Sequence, residues 1–533
     1  MKRTLTALLL AAVSLNVGAQ TWQDAYVFSE NNYVGTARSV GMGNAMTAVG
    51  GDLGSLVFNP AGSAVAGYST FAITPSVTIS NVFAQGTTLS GETVPYGFED
   101  GLKSRMPRFK MPNFGFVMSY DTHSSSLRRV TFGLVGHATN DFTSKIAASG
   151  TNFDTSVAGS LASQADGYPV SIMDGGYYQD DIPSWETMVG YKAGIISPMA
   201  GRENAYIGVT ERLLSNGKVQ LADQIKQRYG QQRVGNKYDL LMNFAMDFSD
   251  RFYLGANIGI TSLSYHSDQV RAEEPADGTN ITVNYEGQNV AFNSLRIRSA
   301  YQAEGSGIYA KIGFLARPFG GLRIGAAIQT PTIMEIRENY ALDAQTVLSG
   351  SSRTAQTPED EWYYNLVSPY RVNAGIAYTF GKLGLVSVDY ELCDYSTMSF
   401  RSSNYNEFLT DFGGVNGDIA QMMTMSHALR AGVELKPLPE MAIRVGYNFE
   451  TNPVVGLTTP KQRVSFGLGY DSNGSFFADA AVRLHYLQDE YLIPYYYYDW
   501  DDQGTFIDDT VLTPEIGIKT TMVDAMLTLG WRF

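Results

Sequence analysis

The last eleven residues of the chain alternate strictly between apolar and mixed polar positions. A period of two places successive side chains on opposite faces of a strand, and a strand of this length crosses a bilayer core when it is tilted. The segment therefore predicts a transmembrane β-strand that ends on an aromatic residue, which is typical of an outer-membrane barrel. The apolar face of this strand consists of Val523, Ala525, Leu527, Leu529, Trp531 and Phe533.

The amino-terminus predicts a cleaved secretory signal. Lys2 and Arg3 precede an apolar run from Leu5 to Val17, and small residues follow up to Ala19. A run of thirteen residues is too short for a spanning helix, which needs about 20. We therefore expect residues 1–19 to be a signal peptide and the mature chain to start at Gln20.

Composition narrows the class of protein. The chain contains 54 Gly, 33 Tyr and 27 Phe, and its mean hydropathy is slightly negative. A barrel hides its lipid face in every second residue, so its averaged hydropathy resembles that of a soluble protein. The net charge of −14 argues against nucleic-acid binding, and the single cysteine, Cys393, excludes an internal disulfide framework.

The chain from residue 68 onward reads as a series of hairpins. Alternating segments such as Tyr238 to Phe248 and Phe252 to Tyr265 are joined by short turns, and long polar loops separate the pairs. We count sixteen candidate strands, of which Trp185 to Ser197 and Glu203 to Leu213 are the weakest and fit an extra hairpin outside the wall. The prediction is an all-β transmembrane antiparallel barrel over residues 68–533 with long extracellular loops.

Charged residues within these strands indicate which face points to the lumen. A cation on the lipid side at mid-membrane costs roughly 2 to 4 kcal/mol, so we expect these side chains to face inward and to form networks that brace the wall. They are Lys311, Arg323, Asp389, Glu391, Arg430, Glu434, Arg444, Arg483 and His485.

Residues 20–67, named the hatch below, do not read as barrel wall. The segment from Gly35 to Gly51 is rich in small residues and carries apolar residues at loosely helical spacing. Pro60 ends a helix and Gly62 permits a sharp turn. Such a compact, mostly helical segment before a barrel is suited to fold back inside it as a plug.

Several motifs of the chain follow one another in a specific order. They are Ala37 to Gly43, Gly50-Gly51-Asp52, Asn59-Pro60-Ala61-Gly62, the hairpins Leu315 to Thr332 and Arg371 to Leu392, and the terminal Phe533. In order and spacing they resemble the FadL/OmpP1 family of outer-membrane transporters for hydrophobic compounds. The resemblance extends over nearly the whole mature chain.

The resemblance implies a monomeric barrel of fourteen strands, two fewer than the sixteen candidates, closed by an amino-terminal hatch. It also implies that outer loops capture a hydrophobic ligand, that the hatch shifts, and that the ligand leaves laterally through the wall. Asn59, Pro60, Ala61 and Gly62 are the candidate gate residues on this basis, and the ligand-binding residues stay unassigned. Met42, Met46 and the run Met422 to Met425 fit either ligand contacts or ordinary packing.

Sequence motifs for nucleotide binding, catalysis, metal binding and haem binding are weak or missing. Gly41-x-Gly43 lacks the third glycine of a dinucleotide fingerprint, and no nucleophile-elbow, phosphate-loop or metalloprotease motif occurs. The five histidines are scattered, so nothing groups them as haem ligands. We expect no enzymatic activity, no cofactor and no metal. The acidic, tyrosine-rich stretch from Tyr495 to Asp509 fits a solvated loop or a site for divalent cations.

Two classes of function remain after this reasoning. The first is a passive transporter of long-chain fatty acids or other hydrophobic small molecules. The second is a general porin or a structural surface barrel, with a haem receptor as a weaker alternative. The expected partners are the hydrophobic ligand, outer-membrane lipids and lipopolysaccharide, and the barrel-assembly machinery through the strand that ends at Phe533.

Overall fold

The architecture is a single closed, antiparallel β-barrel that contains the hatch. The computed structural model describes residues 20–87, 97–179, 182–285, 288–403, 411–472, 474–496 and 514–533. The predicted signal peptide and the tyrosine-rich stretch beyond residue 496 lie outside these residues.

The strands follow one another along the chain with short turns at one end of the barrel. They are β1 (Thr70–Gly86), β2 (Leu102–Asp121), β3 (Leu127–Asp141), β4 (Ser144–Asn152), β5 (Ile196–Pro198), β6 (Tyr206–Gly208), β7 (Glu211–Leu213), β8 (Val219–Leu221), β9 (Ile225–Phe248), β10 (Phe252–Pro275), β11 (Thr282–Tyr285), β12 (Gln288–Ala316), β13 (Leu322–Gln329), β14 (Ile333–Leu348), β15 (Ser351–Gln356), β16 (Asp360–Val367), β17 (Arg371–Thr379), β18 (Gly384–Asp394), β19 (Ser399–Ser402), β20 (Met425–Leu438), β21 (Met441–Glu450), β22 (Lys461–Asp471), β23 (Phe476–Leu492) and β24 (Ile516–Arg532).

The helices lie in the hatch and in the outer loops. They are α1 (Trp22–Ser29), α2 (Ala37–Gly41), α3 (Val157–Ala165), α4 (Val170–Met173), α5 (Trp185–Lys192) and α6 (Gly413–Met422), with 3₁₀ turns at Leu53–Ser55, Pro60–Val65 and Tyr395–Thr397. Among the described residues, no helix has the length and apolar character needed to cross a membrane.

The wall comprises fourteen strands in the described part of the chain, as the resemblance implied. Four of them are built from successive segments: β3 continues as β4, β13 as β14, β15 as β16 and then β17, and β18 as β19. The ring closes where β24 pairs with β1, from Thr70 opposite Arg532 to Gly86 opposite Ile516. The higher count of sixteen was wrong, because Trp185 to Ser197 and Glu203 to Leu213 form α5 and the short strands β5 to β7 outside the wall.

The outer face carries the apolar belt that the alternation predicted. On β10, Leu254, Ile258 and Ile260 are exposed between buried inward neighbours. Exposed aromatic side chains, such as Trp531 near one end and Tyr486 near the other, lie where ring faces are half buried in lipid and half wet. The barrel is therefore built to span an outer membrane.

The strands are longer than the alternation indicated. The long polar stretches between the predicted hairpins, including residues 214–237, 267–305 and 337–369, are mostly strand in β9, β10, β12, β14 and β16. Above the belt the outward side chains of these strands become polar, so the apolar outer face ends while the backbone ladder continues. Side-chain pairs such as Arg296 with Asp343, at 2.9 Å, connect neighbouring strands there.

Residues 153–224, named the cap below, close the outer mouth of the barrel. Apart from residues 180 and 181, which are not described, they form α3 to α5 and two small β-ladders. The cap shares one apolar core with the upper barrel, in which Leu161 and Met188 meet wall residues such as Leu295. Glu186 on α5 pairs with Arg271 on β10 at 2.7 Å, so the cap is an ordered lid rather than a loose loop.

Candidate functional site

The hatch lies inside the barrel and is almost completely buried. Its first helix begins at a capping box, because Thr21 Oγ1 accepts from the Asp24 N–H and the Asp24 carboxylate accepts from the Thr21 N–H. A local cap therefore fixes the start of the hatch. Wall side chains then bind the hatch backbone directly: Thr47 N donates to Asp389 Oδ2 at 2.6 Å.

Asn59 is the most heavily used side chain of the predicted gate motif. It is fully buried and caps the 3₁₀ turn, since its Oδ1 accepts from Ala61 N at 3.1 Å. Its Nδ2 donates to Thr47 O within the hatch and to Phe314 O on β12, both at 2.8 Å. One amide thus ties together two parts of the hatch and one wall strand.

The other residues of the motif, Pro60 to Gly62, pack closely against the wall and against the rest of the hatch. Pro60 O accepts from Asn243 Nδ2 at 2.9 Å, and Gly62 O accepts from Gly51 N at 2.8 Å. A Cβ atom on Gly62 would lie 2.7 Å from Ser55 Oγ, so the chain has no room for a side chain there. The structure brings the four motif residues together against β9, β10 and β12, and their role as a gate stays a prediction.

We expect Asn59→Ala to loosen the hatch while the barrel stays intact. The substitution removes the hydrogen bonds to three buried backbone groups, and each group left unsatisfied costs about 1–3 kcal/mol. Limited proteolysis should cut within the hatch of the variant, with unchanged heat-modifiable migration of the barrel. Asn365→Ala, on the exposed face of β16, is the matched control. Equal protease resistance of Asn59→Ala and the wild type would contradict this role.

Wall glycines face the hatch on seven strands and allow its backbone to approach. A Cβ on Gly446 would lie 2.0 Å from Gly43 N, and one on Gly325 would lie 2.3 Å from Thr47 O. Such distances leave no space for any other residue. We name this row the glycine track: Gly255, Gly313, Gly325, Gly375, Gly432, Gly446 and Gly467.

Eight of the nine inward charges predicted from the sequence are buried in the lumen and Arg323 is half-buried, and they bind the hatch as well as each other. Glu434 accepts from Arg444 on the wall at 2.6 Å and from Arg38 of the hatch at 2.9 Å. Burial opposes the charge of Arg38, but the pairing with Glu434 outweighs it and raises the pKa of the guanidinium. The wall therefore holds the hatch by ionic contacts as well as by close backbone packing.

Two further carboxylates organise similar clusters. Glu391 accepts from Arg371 and Arg430, and the Arg371 guanidinium also donates to Ser29 O of the hatch at 2.9 Å. Asp524 accepts from Arg483 at 2.7 Å, and Arg483 donates to Tyr33 O at 2.8 Å. The end of α1 and the chain that follows it are thus fixed from two sides.

The first helix of the hatch, α1, occupies an apolar chamber at mid-barrel. Phe28 makes an edge contact with Tyr265 at 5.5 Å between ring centroids, and Tyr26 does so with Tyr395 at 5.2 Å. Met422 and Met423 line the same chamber, whereas Met42 and Met46 pack within the lower hatch. Further lining residues are Phe142, Met334, Tyr364, Met398, Phe400 and Phe412.

Below the hatch lies a polar cavity of about 240 Å³ at the periplasmic end. Arg38, Asp52, Arg444 and Asp479 contribute to its lining, so it offers ions and water a better environment than an apolar ligand. Asp52 also caps the first 3₁₀ turn of the hatch, and its burial raises the pKa of the carboxyl group.

The wall has an opening between β2 and β3. Their ladder stops at Asn113 opposite His137, whereas β1 stays paired with β2 up to Leu102. A hydrogen bond from Asp100 N to Ser149 O, 2.9 Å long, closes the gap at its outer end. We call this gap the wall opening.

The hatch covers part of the β3 edge that the opening leaves free. Asn32 N donates to Thr139 O at 2.6 Å, and Val34 N donates to Ala138 O at 3.2 Å. On the other edge Lys110 forms an ion pair with Asp141 across the opening, and Arg108 lies 3.5 Å from the same carboxylate. The opening is therefore bridged by side chains and by the hatch, without a backbone ladder between its strands.

Sequence reasoning missed the glycine track and the wall opening. For the glycine track, the usable signal was that Gly255, Gly325 and Gly446 all fall on inward positions of predicted strands. For the opening, Pro107 and Pro112 carried a usable signal. Proline has no N–H for a second ladder and is confined to strands that lack a neighbour on one side.

Comparison with known proteins supports the fold. No protein-family model and no curated protein sequence matches the chain. The crystal structure of a Pseudomonas aeruginosa FadL homologue aligns with a TM-score of 0.50 over 94% of this chain and 99% of that chain, at 12% identity. The crystal structure of the P. putida toluene transporter TodX aligns with a TM-score of 0.48 over 95% of this chain and 99% of that one, at 11% identity. The first similarity confirms the FadL-like fold that the sequence motifs implied.

Proposed function

We propose that the protein is a passive outer-membrane transporter of hydrophobic small molecules, with long-chain fatty acids as the leading substrate class. In this proposal the outer loops and cap capture the ligand, the hatch acts as the gate, and the ligand leaves sideways through the wall opening. Movement is downhill, so it requires neither a cofactor nor an energy source.

The observation that carries the proposal is the wall opening beside the hatch. A barrel that passes polar solutes needs an open lumen, whereas here the hatch, including α1, fills the lumen at mid-height. In this proposal the gap in the ladder at the level of the apolar belt is the alternative route, which opens to lipid when the hatch and the bridging side chains move. Because the hatch residues Asn32 and Val34 bind the β3 edge of this gap, a shift of the hatch changes the exit directly.

The apolar chamber around α1 supports the same substrate class. Aromatic rings and methionine side chains adapt to ligands of different shape. Burial of an acyl chain contributes about 25 cal/mol per Å² of apolar surface, which is sufficient for useful affinity once ordering costs are subtracted. We propose that a ligand binds in this chamber after α1 has moved out of part of it.

Uptake by whole cells tests the proposal. Cells that lack their own transporter should take up a labelled long-chain fatty acid saturably when they produce this protein, and the same cells with an empty vector should not. A labelled monoaromatic hydrocarbon serves as the second probe. No uptake of either compound, at a verified surface level of folded barrel, would contradict the proposed function. Steady ion conductance of the wild-type protein would favour a porin instead.

A further inference from the structure

The outer surface of β24, β1 and β2 carries a basic face immediately above the apolar belt. Along these three strands the outward residues change from apolar to polar between one row of cross-strand neighbours and the next. The last apolar row is Val523, Ile79 and Pro107, and the next is Thr521, Asn81 and Arg105. The row above it consists of Lys519, Phe83 and Lys103. Lys103, Arg105 and Lys519 are exposed.

Several other outward cations above the belt are neutralised by ion pairs. Arg228 pairs with Glu274 at 2.6 Å, and Arg298 pairs with Asp268 at 2.5 Å. Within the described side chains, Lys103, Arg105 and Lys519 form no ion pair. Three cations thus share one outward face on a chain whose net charge is −14, and Asp489 on β23 is the backbone-ladder partner of Lys519 at its edge.

The nearby carboxylates on the rim do not compensate this charge by ion pairing. Glu99 accepts from Thr151 N at 2.8 Å, Asp100 accepts from Ser149 Oγ at 2.7 Å, and Glu515 accepts from Thr87 Oγ1 at 3.0 Å. Glu99 and Asp100 thus hold the chain before β2 to β4, and Thr87 with Glu515 joins the outer ends of β1 and β24.

We propose that this face binds the phosphate groups of a polyanionic glycolipid of the outer leaflet, namely lipopolysaccharide. Its position next to the belt places it at the level of the lipid head groups. Neighbouring strands lie about 4.8 Å apart, so Lys103 and Lys519, on either side of β1, are separated by roughly 10 Å. One phosphate does not span that distance, whereas a head group with several phosphates contacts both lysines and Arg105 together.

The inference depends on the outer-membrane location and is independent of transport. The test uses the purified full-length protein in detergent and lipopolysaccharide as the probe, with binding followed by native mass spectrometry. Each basic residue near an anionic membrane surface contributes about a fivefold gain in binding, so the triple variant K103Q/R105Q/K519Q should bind on the order of a hundredfold more weakly at low salt. Raising the salt concentration should reduce the difference.

The controls test whether binding depends on the position of the basic residues, on the phosphate groups of the lipid and on the number of its charges. K382Q/K436Q removes two exposed cations at the opposite end of the barrel and should bind lipopolysaccharide like the wild type. Lipopolysaccharide stripped of phosphate should bind wild type and triple variant equally weakly. Unchanged binding by the folded triple variant would overturn the proposal, and equally tight binding of a singly charged phospholipid would overturn the assignment to a polyanionic glycolipid.

Discussion

Replacing Gly432 and Gly446 by alanine is expected to unseat the hatch and to convert the barrel into an ion-conducting pore. Both glycines face Met42 and Gly43: a Cβ on Gly432 would lie 2.3 Å from Met42 O, and one on Gly446 would lie 2.0 Å from Gly43 N. Overpacking of this kind typically costs about 1–3 kcal/mol per site, and the two sites press on the same turn. Planar bilayer recordings should show low conductance for the wild type and steady open currents for G432A/G446A.

The matched control for this prediction is Gly230→Ala. Gly230 also lies in a wall strand, but a Cβ there meets no atom within 4 Å, so the substitution tests the effect of alanine without the hatch contact. We expect wild-type conductance for the control. If G432A/G446A folds and conducts no more than Gly230→Ala, the glycine track does not seat the hatch.

Cross-linking the wall opening is expected to abolish uptake reversibly. Lys110 and Asp141 contact each other across the gap, so cysteines at these two positions flank the proposed exit. The background carries Cys393→Ala, which removes the native buried thiol. After treatment with a short, reducible bifunctional thiol reagent, K110C/D141C should transport no better than cells without the protein. Cleavage of the linker with a reducing agent should restore uptake.

A cross-link on a complete ladder provides the comparison. Ser262 and Ser306 are paired neighbours on β10 and β12 and are exposed on the outer face. A linker between cysteines at these positions joins strands that are already hydrogen-bonded, so uptake should be unaffected. If both cross-linked proteins transport equally well, the ligand does not leave between β2 and β3.

The two predictions address separate steps. Hatch displacement is read as ion conductance, which needs no ligand, and the cross-link is read as ligand uptake with the hatch in place. A protein that conducts after G432A/G446A but transports despite the cross-link would have a hatch that closes the lumen and an exit elsewhere.

Sequence reasoning placed the inward charges correctly because a charge facing lipid is costly. Arg444 and Glu434 alternate against apolar neighbours, and both are buried in the lumen. Their third partner, Arg38, lies 396 positions away from Glu434 along the chain, and no local pattern connects the two. The networks were therefore predicted as braces of the wall and found to hold the hatch as well.

The gate motif also combines local features, which the sequence predicted, with long-range contacts, which it did not. Pro60 and Gly62 indicated a turn, and the turn exists, because proline and glycine act on their own backbone. The role of Asn59 as a link between Thr47 and Phe314 depends on how the hatch sits in the barrel. The chamber around α1 likewise combines residues from distant strands, which explains why no ligand-binding residue was assigned from the sequence.

Local sequence patterns predicted the membrane barrel, the faces of its strands and a separate hatch. The barrel and its faces follow from period-two alternation and from the cost of polar groups in hydrocarbon, which act residue by residue. The choice of fourteen strands over sixteen, the extension of the strands above the membrane, the glycine track and the wall opening became visible only in the folded barrel. Each of these depends on which strands pair, in what register, and where the hatch packs, and such long-range choices are set by the whole closed ring.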